Sequence, residues 1–188
     1  MARPRSEDKL KAIMASATRV ISAHGTSAPT ALIAKEAGVS NGSLFGYVDT
    51  KADLMNRLYV ELKAEMAAVA LTNLLTESDT RTQVSQMWFQ LVRWATACPE
   101  KRRTLAHLAV SEDITPESRQ KANEELAGVI QLVERGREHG PMRDAPLDFI
   151  AVLMTSMLDA TIDYLVQDPH NADKHCSTSF DAFWRMIA

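Results

Sequence analysis

The sequence predicts an all-α protein of about nine helices, and three observations lead there. Apolar residues recur at i, i+3, i+4 and i+7 in nearly every segment. No segment alternates apolar and polar residues as a half-buried strand would. Glycine, proline and the small hydroxyl residues gather between the periodic runs, where helices start and stop. The 188 residues suffice for one large domain or a small one attached to a larger one, and 46% hydrophobic residues support a real core.

Taken in order, Leu10, Ile13, Met14, Ala17, Val20 and Ile21 form the first apolar stripe, with Ser6 as its cap and Gly25 as its stop. Two short helices follow within residues 30–48. Thr50 and Asp53 form a capping pair before Leu54, Leu58, Leu62 and Met66, which open a long fourth helix. Val84, Met87, Trp88, Leu91 and Val92 mark another, ended by Cys98-Pro99, and a shorter helix covers about 101–111. Thr115 caps and Pro116 opens a helix expected to run unbroken to Gly140-Pro141. Residues 147–166, LDFIAVLMTSMLDATIDYLV, are apolar almost all round, so that helix is expected in a core or against a partner. HNADKHC at 170–176 reads as a loop, followed by a last helix with Phe180, Phe183, Trp184 and Ile187 on one face.

Composition narrows the function. No run of eighteen apolar residues is present, so no membrane span is expected, and the start, MARPRSEDKLK, lacks a signal peptide's apolar core. A cytoplasmic protein is expected, with Cys98 and Cys176 as reduced, unpaired thiols. The net charge of −3 argues against a general nucleic-acid coat. Residues 1–50 nevertheless hold six Lys/Arg against four Asp/Glu, while residues 51–188 hold fifteen against twenty, as suits a mildly basic reading module on an acidic body. His170, His175 and Cys176 fit no zinc spacing, and no metal or cofactor is expected.

The stretch AGVSNGSLFGYV at 37–48 decides among the remaining classes. Asn41-Gly42 signals a hairpin only between alternating strands, and here helical patterns lie on both sides. Gly38 instead suits the tight turn of a helix-turn-helix, with Thr30 expected to cap the first helix and Ser40 the second. Ile33, Ala34 and Ala37 form the inner face of the first helix, and Val39, Leu44 and Tyr47 that of the second. Asn41 and Ser43 are small hydrogen-bonding residues at the exposed start of the second helix, where a major-groove reader needs them. Gly42 and Gly46 are poor helix residues whose presence suggests close backbone approach. The alternative is an αα-hairpin with no role at DNA.

These residues carry a family resemblance. TALIAKEAGVSNGSLFGYVDTKADLM is similar to the N-terminal DNA-binding domain of TetR-family transcriptional regulators, over about residues 7–55. With the opening MARPRSEDK and the LYVELK stretch at 58–63, it most resembles RamR-type multidrug-sensing repressors. The resemblance implies a helix-turn-helix domain at 1–50 and a ligand-binding and dimerisation domain at 51–188. It implies DNA contacts from Thr30, Ser40, Asn41, Gly42, Ser43, Phe45, Tyr47 and Lys51, with Tyr47 and Lys51 on phosphates. Phe45 in place of tyrosine, together with Gly46 and Val48, departs from the family pattern and implies an altered operator.

The implied partners are a palindromic double-stranded operator, a small-molecule effector and a second copy of the chain, the homodimer being built on the last two helices around Phe180, Phe183 or Trp184. Tyr59, Lys63, Met66, Trp88, Met154 and Asp159 are the candidate ligand contacts, since Met repacks easily, aromatics stack on flat ligands and a buried carboxylate wants a cation. The expected function is therefore a repressor released by a lipophilic or cationic ligand. Control by a protein partner, or no effector at all, is the alternative. An all-α enzyme is the remaining one, for which no nucleophile elbow, phosphate loop or HExxH is present.

Overall fold

The structure, a computed structural model, describes residues 7–74 and 78–188, so Arg3, Arg5 and Ser6 lie outside the described residues. Among the described residues there are ten α-helices and no strand. They are α1 (Glu7–His24), α2 (Thr30–Glu36), α3 (Asn41–Leu44), α4 (Lys51–Ala70), α5 (Thr80–Ala97), α6 (Pro99–Ala109), α7 (Pro116–Glu125), α8 (Ala127–Arg137), α9 (Leu147–Gln167) and α10 (Ala172–Ile187). A 3-10 turn, Pro169–Asn171, precedes α10, so His175 and Cys176 belong to the last helix and not to a loop.

The count exceeds the expected nine because residues 116–140 do not form one helix. The run breaks at Leu126, and its two halves bury different things: α7 buries only Ala122, whereas α8 buries Val129, Leu132 and Val133. They belong to different compact units. One unit holds the chain up to Ala64 together with Cys98–Glu125; the other holds Glu65–Ala97 and Leu126–Ala188. This grouping runs across the expected boundary at residue 50: the first part of α4 and all of α6 and α7 fall in the same unit as the helix-turn-helix, with α6 packed on α1.

In the first unit α1 is the floor. Its stripe of Ile13, Ala17, Val20 and Ile21 is fully buried, and both α2 and α6 pack against it. Thr104 of α6, itself fully buried, donates its hydroxyl to the Thr18 carbonyl at 2.7 Å, which satisfies a polar group the core would otherwise strand. Arg19 of α1 pairs with Glu36 of α2. On α4, Asn56 donates to the Asp113 carbonyl at 2.7 Å and accepts from the Thr115 amide at 2.8 Å, tying that helix to the turn before α7.

The second unit is built around α5, which packs on α8, α9 and α10. Trp88 stacks on Phe183 with ring centroids 5.0 Å apart and meets Phe180 at 6.4 Å. Phe180 and Phe183 are thus buried in the chain's own core. This corrects the expectation that they lie at the centre of a dimer contact: α5 already covers the apolar face of α10. Arg137, 9% exposed, donates from Nη1 to the carbonyls of Met142, Arg143 and Ala145 at 2.9, 2.9 and 2.7 Å and so shapes the turn that leads into α9.

The Asn56 amide gives a test of the packing in the first unit. Asn56→Ala removes one donor and one acceptor between α4 and the 113–115 turn and is expected to cost about 1–3 kcal/mol. Urea unfolding should show it as a lower midpoint at unchanged slope, whereas His107→Ala, at an exposed position, should leave the midpoint in place.

Candidate functional site

The local chemistry of residues 29–53 dictates an exposed polar helix start. Pro29 is the N-cap residue of α2, so Thr30 is its first helical residue and makes no capping bond, contrary to the expectation above. Gly38 sits at φ +68°, a left-handed conformation, and ends α2 by turning the chain sharply. Ser40 then caps α3: its Oγ accepts from the Ser43 amide at 3.0 Å and donates to Ser43 Oγ at 2.9 Å. Helix α3 is a single turn, after which the Gly46 and Tyr47 amides bond three residues back to Ser43 and Leu44. The same capping logic opens α4, where Thr50 Oγ1 accepts from the Asp53 amide at 3.0 Å and Asp53 reaches back to the Asp49 amide at 3.1 Å.

This arrangement sorts the expected DNA residues cleanly. Leu44 and Val48 are buried and anchor the segment from below. Ser40, Asn41, Gly42 and Ser43 are all exposed, while Thr30, Tyr47 and Lys51 are half-buried. Phe45, 39% exposed, presents an aromatic edge beside them. A Cβ added at Gly42 would approach nothing nearer than Ser40 Oγ at 4.0 Å, so the protein itself leaves that surface open. The result is one turn of helix with small hydrogen-bonding side chains outward and an apolar anchor inward, followed by a lysine at the next helix start.

Comparison with known proteins accounts for this geometry. Residues 13–58 match the family model for bacterial regulatory proteins of the tetR family. A putative tetR family transcription regulator from Shewanella sp. PV-4 superimposes with a TM-score of 0.85 at 26% identity, over 98% of this chain and 99% of that one. Residues 13–58 are thus similar to the DNA-binding head of that family, and the fold is the one found in solved TetR-family regulators. A second TetR-family regulator, from Marinobacter aquaeolei VT8, gives a TM-score of 0.85 at 22% identity over 100% of this chain and 99% of its own. FadR from Bacillus subtilis, solved in complex with stearoyl-CoA, gives 0.68 at 17% identity over 95% of this chain and 98% of that one. All three are regulators, and the enzyme reading lapses.

The expected ligand residues fall into separate groups. Tyr59, Lys63 and Met66 follow i, i+4, i+7 spacing and share one face of α4. Tyr59 is 7% exposed, and Lys63 Nζ lies over its ring, 5.8 Å from the centroid. Burial lowers the Lys63 pKa from the ordinary lysine value. Trp88 is sealed in the core of the second unit, and its indole Nε1 is the one buried side-chain polar atom with no hydrogen-bond partner among the described residues. Met154 is buried on α9, and Asp159 is half-buried on the same helix. An open depression of about 290 Å³ in the second unit lies elsewhere, lined by residues such as Arg81, Gln86, Phe89 and Phe180, none of them among the expected ligand contacts.

Two further groups do structural work. Asp168 Oδ2 lies 2.9 Å from His175 Nε2, and this contact with Asn171 holds the Asp168 carboxyl below its usual range while fixing the start of α10. Cys176 is buried, and that burial, with Asp173 nearby, pushes its thiol up to about 11, so it is an inert core residue.

Lys63 carries a pH signature with a definite sign. Folding disfavours its ammonium form, so between the lowered folded value and the ordinary 10.5 the unfolded chain binds more protons than the folded one. Its contribution to stability therefore rises with pH through that window. Lys63→Met is expected to be the more stable protein near neutral pH, by a margin that shrinks as pH climbs toward about 10. Urea unfolding at several pH values measures that margin, and a margin independent of pH would mean a fully solvated ammonium.

Proposed function

We propose that the regulator is a repressor that grips a palindromic operator as a homodimer and lets go when a small lipophilic molecule binds. The observation that carries the DNA part is the exposed, capped Asn41–Ser43 turn held up by buried Leu44. Asn41 and Ser43 read base edges, Ser40 and Tyr47 position the turn on the backbone, and Lys51 adds its charge to a phosphate at the N-terminus of α4. Thr30 and Phe45 flank the same surface, and Gly42 lets the groove wall approach the helix closely.

The homodimer reading rests on α9. This helix of 21 residues is long and apolar enough to cross a membrane, yet Asp148, Asp159 and Asp163 would be penalised in a bilayer core. Phe149 (51% exposed) and Val152 (61% exposed) continue with exposed Ser156 and Ala160 along one stripe, and Tyr164 and Val166 are exposed further on. An apolar stripe with small residues at its middle suits close packing against its own symmetry mate. The twofold operation would place two reading heads on successive major grooves, about 34–36 Å apart.

The effector part rests on α4, which carries Lys51 at its start and the Tyr59, Lys63 and Met66 face further along. A chain of this fold, Bacillus subtilis FadR, was solved with stearoyl-CoA, so the fold can accept a ligand that carries a long acyl chain. The RamR-type resemblance points the same way, toward a sensor of lipophilic compounds. A ligand that prefers a different setting of α4 weakens DNA binding, and by linkage DNA weakens ligand binding equally.

Footprinting on DNA upstream of the regulator's own gene supplies the operator for two tests. Gly42→Ala gains about 1 kcal/mol of helix propensity and meets no protein clash, so the variant should be at least as stable yet bind operator more weakly. Undiminished binding would remove the close-approach role. Asn41→Ala should relax base discrimination at one position per half-site, while Lys51→Ala should weaken all sequences alike and reduce the salt slope by about one.

The assembly is tested separately. Val152→Asp places a charge in the middle of the proposed contact at a site already open to solvent in the single chain. Sedimentation should show a dimer for the natural chain and a folded monomer for the variant, with operator affinity lost together with the dimer. A natural chain that sediments as a monomer at micromolar concentration would dispose of both the dimer and the palindrome.

A further inference from the structure

Lys63 and Tyr59 present donors that the protein does not use. The cations of Arg19, Arg57, Arg81 and Arg137 each meet a carboxylate, of Glu36, Glu61, Asp181 and Glu134 respectively. Lys63 makes no ion pair and no hydrogen bond to any described residue, and its one recorded partner is the Tyr59 ring. Its helix supplies no counter-charge: positions three and four residues away are Val60, Tyr59, Met66 and Ala67, and Glu61 is already held by Arg57 at 2.9 Å. The Tyr59 hydroxyl, on a residue 7% exposed, likewise makes no hydrogen bond to a described residue. An ammonium and a phenol one helical turn apart, neither satisfied by a described residue and both reached from solvent at a largely buried place, can converge on one anion.

We propose that the effector is an anionic amphiphile, an apolar body ending in a carboxylate or a comparably compact anion, whose head group is held by Lys63 Nζ and the Tyr59 hydroxyl. This deepens the ligand-responsive reading and rests on it, and it reverses the charge expected from Asp159. The anion gains a charge-assisted bond in a partly desolvated place, where such a bond is stronger than in water.

The test uses the full chain and three probes of equal tail length below their micellar concentrations: dodecanoate, dodecanol and dodecyltrimethylammonium. Calorimetric titration should find dodecanoate bound about tenfold or more tighter than dodecanol, and the ammonium compound weakest. Lys63→Met should erase the preference for dodecanoate while dodecanol binding persists; Lys63→Arg should keep it, and Tyr59→Phe should reduce it severalfold. Circular dichroism confirms that each variant is folded. If dodecanoate and dodecanol bind alike, if the ammonium compound binds best, or if the preference survives Lys63→Met, the anion site is overturned while a lipophilic effector stands. If none of the three binds, the small-molecule reading falls as well.

Discussion

The reading head depends on one constraint, the burial of α1 on two sides. Its stripe from Ile13 to Ile21 is covered by α2 along one edge and α6 along another. Each fully buried aliphatic side chain there contributes about 1.5–3 kcal/mol, so the three-helix contact far outweighs the cost of one polar tie such as Thr104 to Thr18. Because α2 is seated on α1, the turn at Gly38 and the outward aim of Asn41 and Ser43 follow. A helix of four residues has no stability of its own. It exists because Leu44 is pinned from below and Ser40 closes it from above.

The elements most legible in the sequence are those set by local chemistry. Ser40, Thr50 and Thr115 each cap where their spacing said they would, and Gly25 and Gly38 take positive φ at the ends of α1 and α2. These depend on a few neighbouring atoms. Thr30 misled because Pro29 supplies the extended residue before α2, and the Leu32 amide bonds to the Pro29 carbonyl at 3.0 Å with no side-chain cap. The break at Leu126 was invisible because local pattern continues through it; what stops is the object against which each half is buried.

Faces were legible and their partners were not. Periodicity correctly put Phe180, Phe183 and Ile187 on one side of α10, but only packing reveals that Trp88 already fills that side. The converse holds on α9, whose all-round apolar sequence hides which stripe remains uncovered. In the candidate ligand face the residue types were legible and their electrostatics were not. A lysine reads as a solvated charge by default, and only the folded structure shows that Lys63 forms no ion pair with a described residue and sets its ammonium over the Tyr59 ring.

Gly38 has a consequence for protein chemistry. Nothing lies within 4 Å of the place its Cβ would occupy, so the position excludes other residues by handedness and not by size. At φ +68° an L-alanine is strained, whereas its mirror image is at ease. A D-alanine introduced at this position by chemical ligation would fill empty space, narrow the unfolded chain's freedom and stiffen the turn. The hinge on which the reading helix is set is therefore chirally defined, and it could be tightened without adding a single contact.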